Sequence, residues 1–138
     1  MARNGPDDTT RRDTSEVAAV EGLLAYAHTR WRRSRARVSG VMEAVERSRA
    51  LAALDPLTHT PLLVRSLRAA ARVMLGRGRP GEALPYALEA VALARRLGGP
   101  ALVMCLATLT EAYEALHRYS DAAAAAREAG AATDPPPD

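Results

Sequence analysis

The sequence predicts an all-α protein of about six helices, and three observations support this class. Alanine and leucine, which favour helices, account for 30 and 17 of the 138 residues. Residues that favour strands are scarce, with no phenylalanine, no isoleucine, one tryptophan and four tyrosines. Glycine and proline interrupt the chain at intervals of about one helix length, which leaves no segment for a sheet.

Two helices are expected before the break at Asp55-Pro56. Asp13 and Glu16 have the spacing of a reciprocal N-terminal cap, so the first helix is expected over residues 14–38. Its apolar residues form one seam of helical spacing, comprising Val17, Val20, Leu24, Ala27 and Trp31. Ser39-Gly40 is expected to end this helix, and a second helix is expected over residues 41–54.

Four further helices are expected after Pro56. Thr60-Pro61 is typical of a helix start, because threonine caps the helix and a proline at the first position loses no hydrogen bond. The third helix should therefore run from residue 61 to Gly76. The others are expected over residues 81–97, 101–116 and 120–130, and Gly98-Gly99-Pro100 separates the first two of them.

The two ends of the chain differ in composition from its middle. Residues 1–13 are polar and carry mixed charge, so they are expected to form a disordered arm. Residues 133–138 include three consecutive prolines, which cannot continue a helix, and are expected to form a disordered tail. The folded domain is therefore expected over residues 14–132.

Gly76, Gly78 and Gly81 have the G-x-G-x-x-G spacing of dinucleotide-binding loops. Such a loop follows a strand, whereas the segment before Gly76 is helical in character. The chain also contains no lysine that could reach a phosphate. These glycines are therefore predicted to form a turn between two helices, and no cofactor is expected.

An acidic residue followed by alanine occurs three times, in Glu43-Ala44, Glu82-Ala83 and Asp121-Ala122, and the alanines are 39 residues apart in both steps. Each pair is predicted to open the second helix of a helix–turn–helix unit. A small residue suits this position because the two helices of a hairpin cross closely there. The spacing predicts an internal repeat.

The repeat resembles the tetratricopeptide repeat family, in a long-period variant of two to three degenerate units. The matching residues of the middle unit are Leu67, Ala70, Ala71, Gly78, Ala83, Ala87 and Ala90, with Met74 in place of the usual aromatic. Those of the last unit are Leu106, Leu109, Tyr113, Tyr119, Ala122, Ala126 and Ala129, with His117 at the glycine position and Thr110 at a small position. The units are expected at about residues 24–60, 61–99 and 100–132. The resemblance implies a short right-handed α-solenoid.

The resemblance also implies a groove, lined by the first helix of each unit, that binds a partner peptide or helix. The groove positions fall on Arg65, Arg68, Arg72, Leu75, Met104, Glu111 and Glu114. Because no acidic residue occurs between positions 56 and 81, the three arginines are available for an acidic partner. A solvated helix face is the alternative interpretation of the same arginines.

The arginine cluster of residues 30–37 suggests an alternative function. Its members, Arg30, Arg32, Arg33, Arg35 and Arg37, surround Trp31 and could contact a phosphate backbone. This would make the chain a nucleic-acid-binding or transcription-regulator-associated protein. However, Trp31 lies on the apolar seam of the first helix, so a nucleic-acid partner is less expected than a protein.

Charge and reactive residues limit the other possibilities. Residues 1–81 carry 15 arginines and 8 acidic residues, whereas residues 82–138 carry 4 arginines and 8 acidic residues. An acidic partner is therefore expected to bind residues 1–81. His28, His59 and His117 are isolated and Cys105 is the single cysteine, so neither an enzyme nor a metal site is expected. Without a signal peptide or a membrane span, we expect a cytoplasmic protein. The exposed ends of so short a stack make homodimerisation possible.

Overall fold

The computed structural model describes residues 6–27 and 35–134 of the 138-residue chain. Within these ranges all regular structure is α-helical, which confirms the predicted class. The six helices are α1 (Pro6–Ala27), α2 (Arg35–Leu54), α3 (Pro56–Gly76), α4 (Pro80–Leu97), α5 (Gly99–Ala115) and α6 (Tyr119–Thr133).

The first helix begins at Pro6, so the expected start at residue 14 is wrong, and residues 6–13 of the expected disordered arm are helical. Proline is favoured at the first helical position, and the negative charge of Asp8 in the first turn complements the positive end of the helix dipole. Residues 1–5, in the same expected arm, lie outside the described ranges, as do residues 135–138 of the expected tail.

The expected helix break at Ser39-Gly40 is also wrong, because both residues lie inside α2. Gly40 is buried there, and a Cβ added to it would lie 3.9 Å from Cδ2 of Leu23 in α1. Gly40 thus lies in a buried part of α2 that packs against α1. The preference of glycine for turns misled the prediction, since tertiary packing overrides local propensity.

The third helix starts earlier than Thr60-Pro61 indicated. Asp55 is its N-cap, and its side chain accepts a hydrogen bond from the backbone N–H of Thr58 at 3.3 Å. Pro56 occupies the first helical position, where its missing N–H costs nothing. By local rules, Pro56 and Pro61 both fit the start of a helix. The helix begins at Pro56 because Asp55 caps it there.

The six helices are arranged in two layers. Each helix packs against the next along the chain, and α1 also contacts α3, which in turn contacts α5. Among the described residues, the backbones of α2, α4 and α6 make no comparable contacts with one another. The odd-numbered helices are therefore closer together than the even-numbered ones. The core between the layers includes Leu67, Leu106, Val20, Val41 and Val91.

Long arginine side chains bridge the even-numbered helices. Arg49 of α2 forms a two-pronged ion pair with Glu89 of α4, and one of its contacts measures 2.7 Å. Arg95 of α4 pairs with Glu128 of α6 through contacts of 3.0 and 2.9 Å. Glu89 and Glu128 are 39 residues apart, whereas Arg49 and Arg95 are 46 residues apart, so only the carboxylates of the two bridges follow the repeat.

The α3–α4 and α5–α6 turns have the same hydrogen bonds 39 residues apart. The N–H of Gly78 donates to the carbonyl of Leu75, and the N–H of His117 donates to that of Glu114. Gly78 has φ +72° and His117 has φ +59°, so histidine adopts the left-handed conformation of the glycine. This confirms that Gly78 belongs to a helix–helix turn.

Ala83 and Ala122 are equivalent, as the repeat predicted. Each is the fourth residue of its helix and is buried. Ala44 is also buried at its position in the 39-residue spacing, but it is the tenth residue of α2, so α2 extends further before this alanine than α4 and α6 do.

Candidate functional site

A cavity of about 520 Å³ opens among the three odd-numbered helices. The parts of its wall that come from the odd-numbered helices include Leu24 of α1, Val64 and Ala69 of α3, and Ala101 and Met104 of α5. Arg65 and Arg68 of α3 add positive charge and Glu21 of α1 adds a carboxylate. The cavity thus lies on the layer that the repeat resemblance assigned to the groove.

Two of the three predicted groove arginines already have carboxylate partners. Arg65 lies 3.3 Å from Glu21 of α1, and Arg72 lies 3.7 Å from Glu111 of α5. All four side chains are exposed. The absence of acids near them in the sequence was therefore a poor guide, because their partners come from neighbouring helices.

Arg68 is in a different environment from its two neighbours. It is half-buried, and its Nε donates a hydrogen bond of 3.4 Å to the carbonyl of Met104. Among the residues that the structure describes, no carboxylate lies within ion-pair distance of its guanidinium. Burial lowers the pKa of Arg68, and the positive charge of Arg72 lowers it further. A guanidinium stays protonated under all ordinary conditions, so this site holds a partly desolvated charge.

The structure brings together part of the predicted site. Arg65, Arg68 and Met104 line the cavity, and the Arg72–Glu111 pair joins the same two helices, α3 and α5. The other two predicted residues, Leu75 and Glu114, are not in the cavity wall. Sequence reasoning missed Glu21, because the first unit was expected to begin at about residue 24, after this position.

The alternative arginine cluster falls mostly outside the described ranges, which exclude Arg30, Arg32 and Arg33. Arg35 is the first residue of α2. Arg37 contacts α1, since its Nε donates a hydrogen bond of 2.5 Å to the carbonyl of Ala27. This bond satisfies a carbonyl at the end of α1, a common role for arginine at a helix C-terminus.

The reactive side chains that the structure describes are dispersed. Cys105 is buried in the cavity wall, and its burial raises the pKa of the thiol, which disfavours the nucleophilic thiolate. His59 is buried near α1, with its Nε2 3.6 Å from Asp13, while His117 lies in the α5–α6 turn. His28 lies outside the described ranges. In the part of the chain that the structure covers, no three His, Cys, Asp or Glu residues group as metal ligands.

None of the described helices combines the length and apolar character needed to cross a membrane. No protein-family model, no curated protein and no solved structure matches the chain.

Proposed function

We propose that the chain is a short, right-handed array of tetratricopeptide-like units that acts as a non-catalytic protein-interaction module. The repetition of the helix–helix turn supports this proposal, because both its hydrogen bonds and its left-handed residue recur after 39 positions. The layered packing supports it as well, since stacked hairpins bury their apolar faces against neighbouring units. Cytoplasmic location and homodimerisation remain predictions.

In this proposal, the groove among α1, α3 and α5 captures a segment of an acidic partner protein. The single observation that carries it is the position of the cavity, which lies on the layer of first helices and has Arg65 and Arg68 in its wall. The existing ion pair of Arg65 does not oppose this role. Arg65 and Glu21 are 59% and 52% exposed, and such pairs contribute only about 0.2–1 kcal/mol. A partner carboxylate can therefore replace Glu21 at little cost.

Selection from a phage-displayed random peptide library against the full chain tests this function. The enriched peptides are then synthesised, and their dissociation constants are measured by fluorescence anisotropy. We expect the selection to enrich acidic peptides. Their affinity for the triple variant Arg65→Ala, Arg68→Ala, Arg72→Ala should be at least tenfold lower than for the wild type, because charge-assisted hydrogen bonds to carboxylates are lost.

The matched control changes three exposed arginines outside the groove, Arg77→Ala, Arg96→Ala and Arg127→Ala. It alters the net charge of the chain by the same amount and should leave peptide affinity within about twofold of the wild-type value at moderate salt. Equal losses in the two triple variants would show that binding follows overall charge, and would contradict the groove. Photo-crosslinking from position 104, which is 48% exposed, should label the peptide, whereas crosslinking from Tyr119 should not.

A further inference from the structure

The charges around the groove do not balance. The three arginines of α3 face two carboxylates, Glu21 at one end and Glu111 at the other. The outer arginines take these partners and leave the central Arg68 without one among the described residues. One positive charge is therefore unmatched at the point where the arginine row is most buried.

An unmatched charge at this depth is unfavourable, because burial removes water without supplying a counter-charge. The one hydrogen bond of Arg68 runs from Nε to a neutral carbonyl, that of Met104. This contact holds the planar guanidinium in one orientation and leaves the two terminal nitrogens for another acceptor. A carboxylate suits them, since its two oxygens match the spacing of guanidinium N–H groups.

The rest of the cavity calls for an apolar ligand body. Leu24, Val64, Ala69 and Met104 form much of the wall beside Arg68. The volume of about 520 Å³ falls in the range of about 300–1,000 Å³ that is typical of small-molecule sites. Such sites combine mostly hydrophobic walls with a few polar groups that orient the ligand.

We propose that this cavity binds a small monocarboxylate with an apolar body, such as a medium-chain fatty acid. The carboxylate pairs with the terminal nitrogens of Arg68, and the hydrocarbon chain lies against Leu24, Val64 and Met104. A single negative charge completes the balance of the arginine row, whereas a second would have to displace Glu21 or Glu111 from its arginine. This proposal does not depend on peptide capture, and either can fail without the other.

Isothermal titration calorimetry with the full chain tests it, using decanoate and decan-1-ol below their aggregation limits. The two probes share a chain and differ in the head group. We expect decanoate to bind at least tenfold more tightly, since a charge-assisted hydrogen bond adds to the same apolar contact. Acetate, which has the head group alone, should bind too weakly to measure.

Two substitutions locate the site. Arg68→Gln should remove the preference for decanoate over decan-1-ol while both still bind weakly, and the exposed control Arg96→Gln should keep the full preference. Ala101→Phe places a bulky ring in the cavity wall and should prevent both probes from binding. Circular dichroism and thermal unfolding verify that each variant is folded.

Three outcomes would overturn the proposal: equal binding of decanoate and decan-1-ol to the wild type, a preference that survives in Arg68→Gln, or no binding of decanoate. If decanoate binds but no acidic peptide competes with it, peptide capture fails and this inference stands. If acidic peptides bind in an Arg65- and Arg72-dependent manner and decanoate does not, the opposite holds.

Discussion

At His117 the residue type differs from that of the equivalent repeat position, whereas the backbone conformation is the same. His117 has φ +59° in the α5–α6 turn, where the equivalent turn has Gly78 with φ +72°. Non-glycine residues in this region cost about 1–2 kcal/mol, because Cβ crowds the following carbonyl. Ring stacking offsets part of this cost, since the ring centroids of His117 and Tyr119 are 5.8 Å apart.

We therefore expect His117→Gly to raise the free energy of unfolding by about 0.5 kcal/mol, because it relieves the backbone strain. The lost ring stacking and the larger entropy of glycine in the unfolded chain offset only part of this gain. Urea denaturation followed by circular dichroism measures it. The reciprocal control is Gly78→His, which should lower stability by about 1 kcal/mol. An added Cβ at Gly78 meets no atom within 4 Å, so this loss would report backbone strain alone. A destabilised His117→Gly variant would contradict the argument.

At the scale of helices, the sequence was most informative where turn chemistry repeats. The starts of α4 and α6 were predicted within one residue, because Glu82-Ala83 and Asp121-Ala122 follow matching turns. The first hairpin was misjudged at Gly40, where a local turn preference competes with burial against Leu23. Local rules cannot weigh that contact, because it joins two helices whose pairing was not yet known.

The even-numbered helices are joined by ion pairs whose strength depends on pH. The hydrogen bonds from Arg95 hold the pKa of Glu128 below its ordinary value, and burial opposes this only in part. A lowered pKa in the folded state means that the stabilisation is present above the ordinary carboxyl range and is lost as pH falls through the lowered value. The pair is 56% and 37% exposed, so solvent screening limits its contribution.

We expect Glu128→Gln to lower the free energy of unfolding by about 0.2–1 kcal/mol at pH 7, and we expect this effect to shrink steadily as the pH falls below the ordinary carboxyl range. Urea denaturation at a series of pH values provides the measurement. Glu114→Gln, which removes an exposed carboxylate from α5, is the control and should change stability little at any pH. A loss in Glu128→Gln that persists unchanged in acid would show that the ion pair is not its cause.

At the scale of the whole molecule, the arrangement of the candidate site was only partly predictable. The resemblance to a repeat family placed Arg65, Arg68 and Met104 on one surface, and the cavity wall contains all three. The sequence could not show that Glu21 and Glu111 neutralise the outer arginines. Those partners lie 44 and 39 residues away, so their contacts depend on how the hairpins stack. The unmatched charge on Arg68 emerges only from this stacking.

The stack should also be unequally stable along its length. Helix α3 is covered on both sides and buries residues along most of its length, whereas α6 buries only Ala122 and Ala125. The repeat provides an internal comparison. Ala87 of α4 is buried by its neighbours, while the equivalent Ala126 of α6 is exposed, because no described helix covers that face.

Native-state hydrogen exchange should therefore give the slowest amides in α3 and amides at least tenfold faster in α6, a difference of about 1.4 kcal/mol in opening free energy. In a repeat stack each unit contacts only its neighbours, so stabilisation at one end remains local. His117→Gly should accordingly slow exchange in α6 more than in α3. The contrary result would be equal exchange rates in all six helices and equal slowing of all of them by His117→Gly. It would indicate one cooperative bundle, because every amide would then report the same global opening.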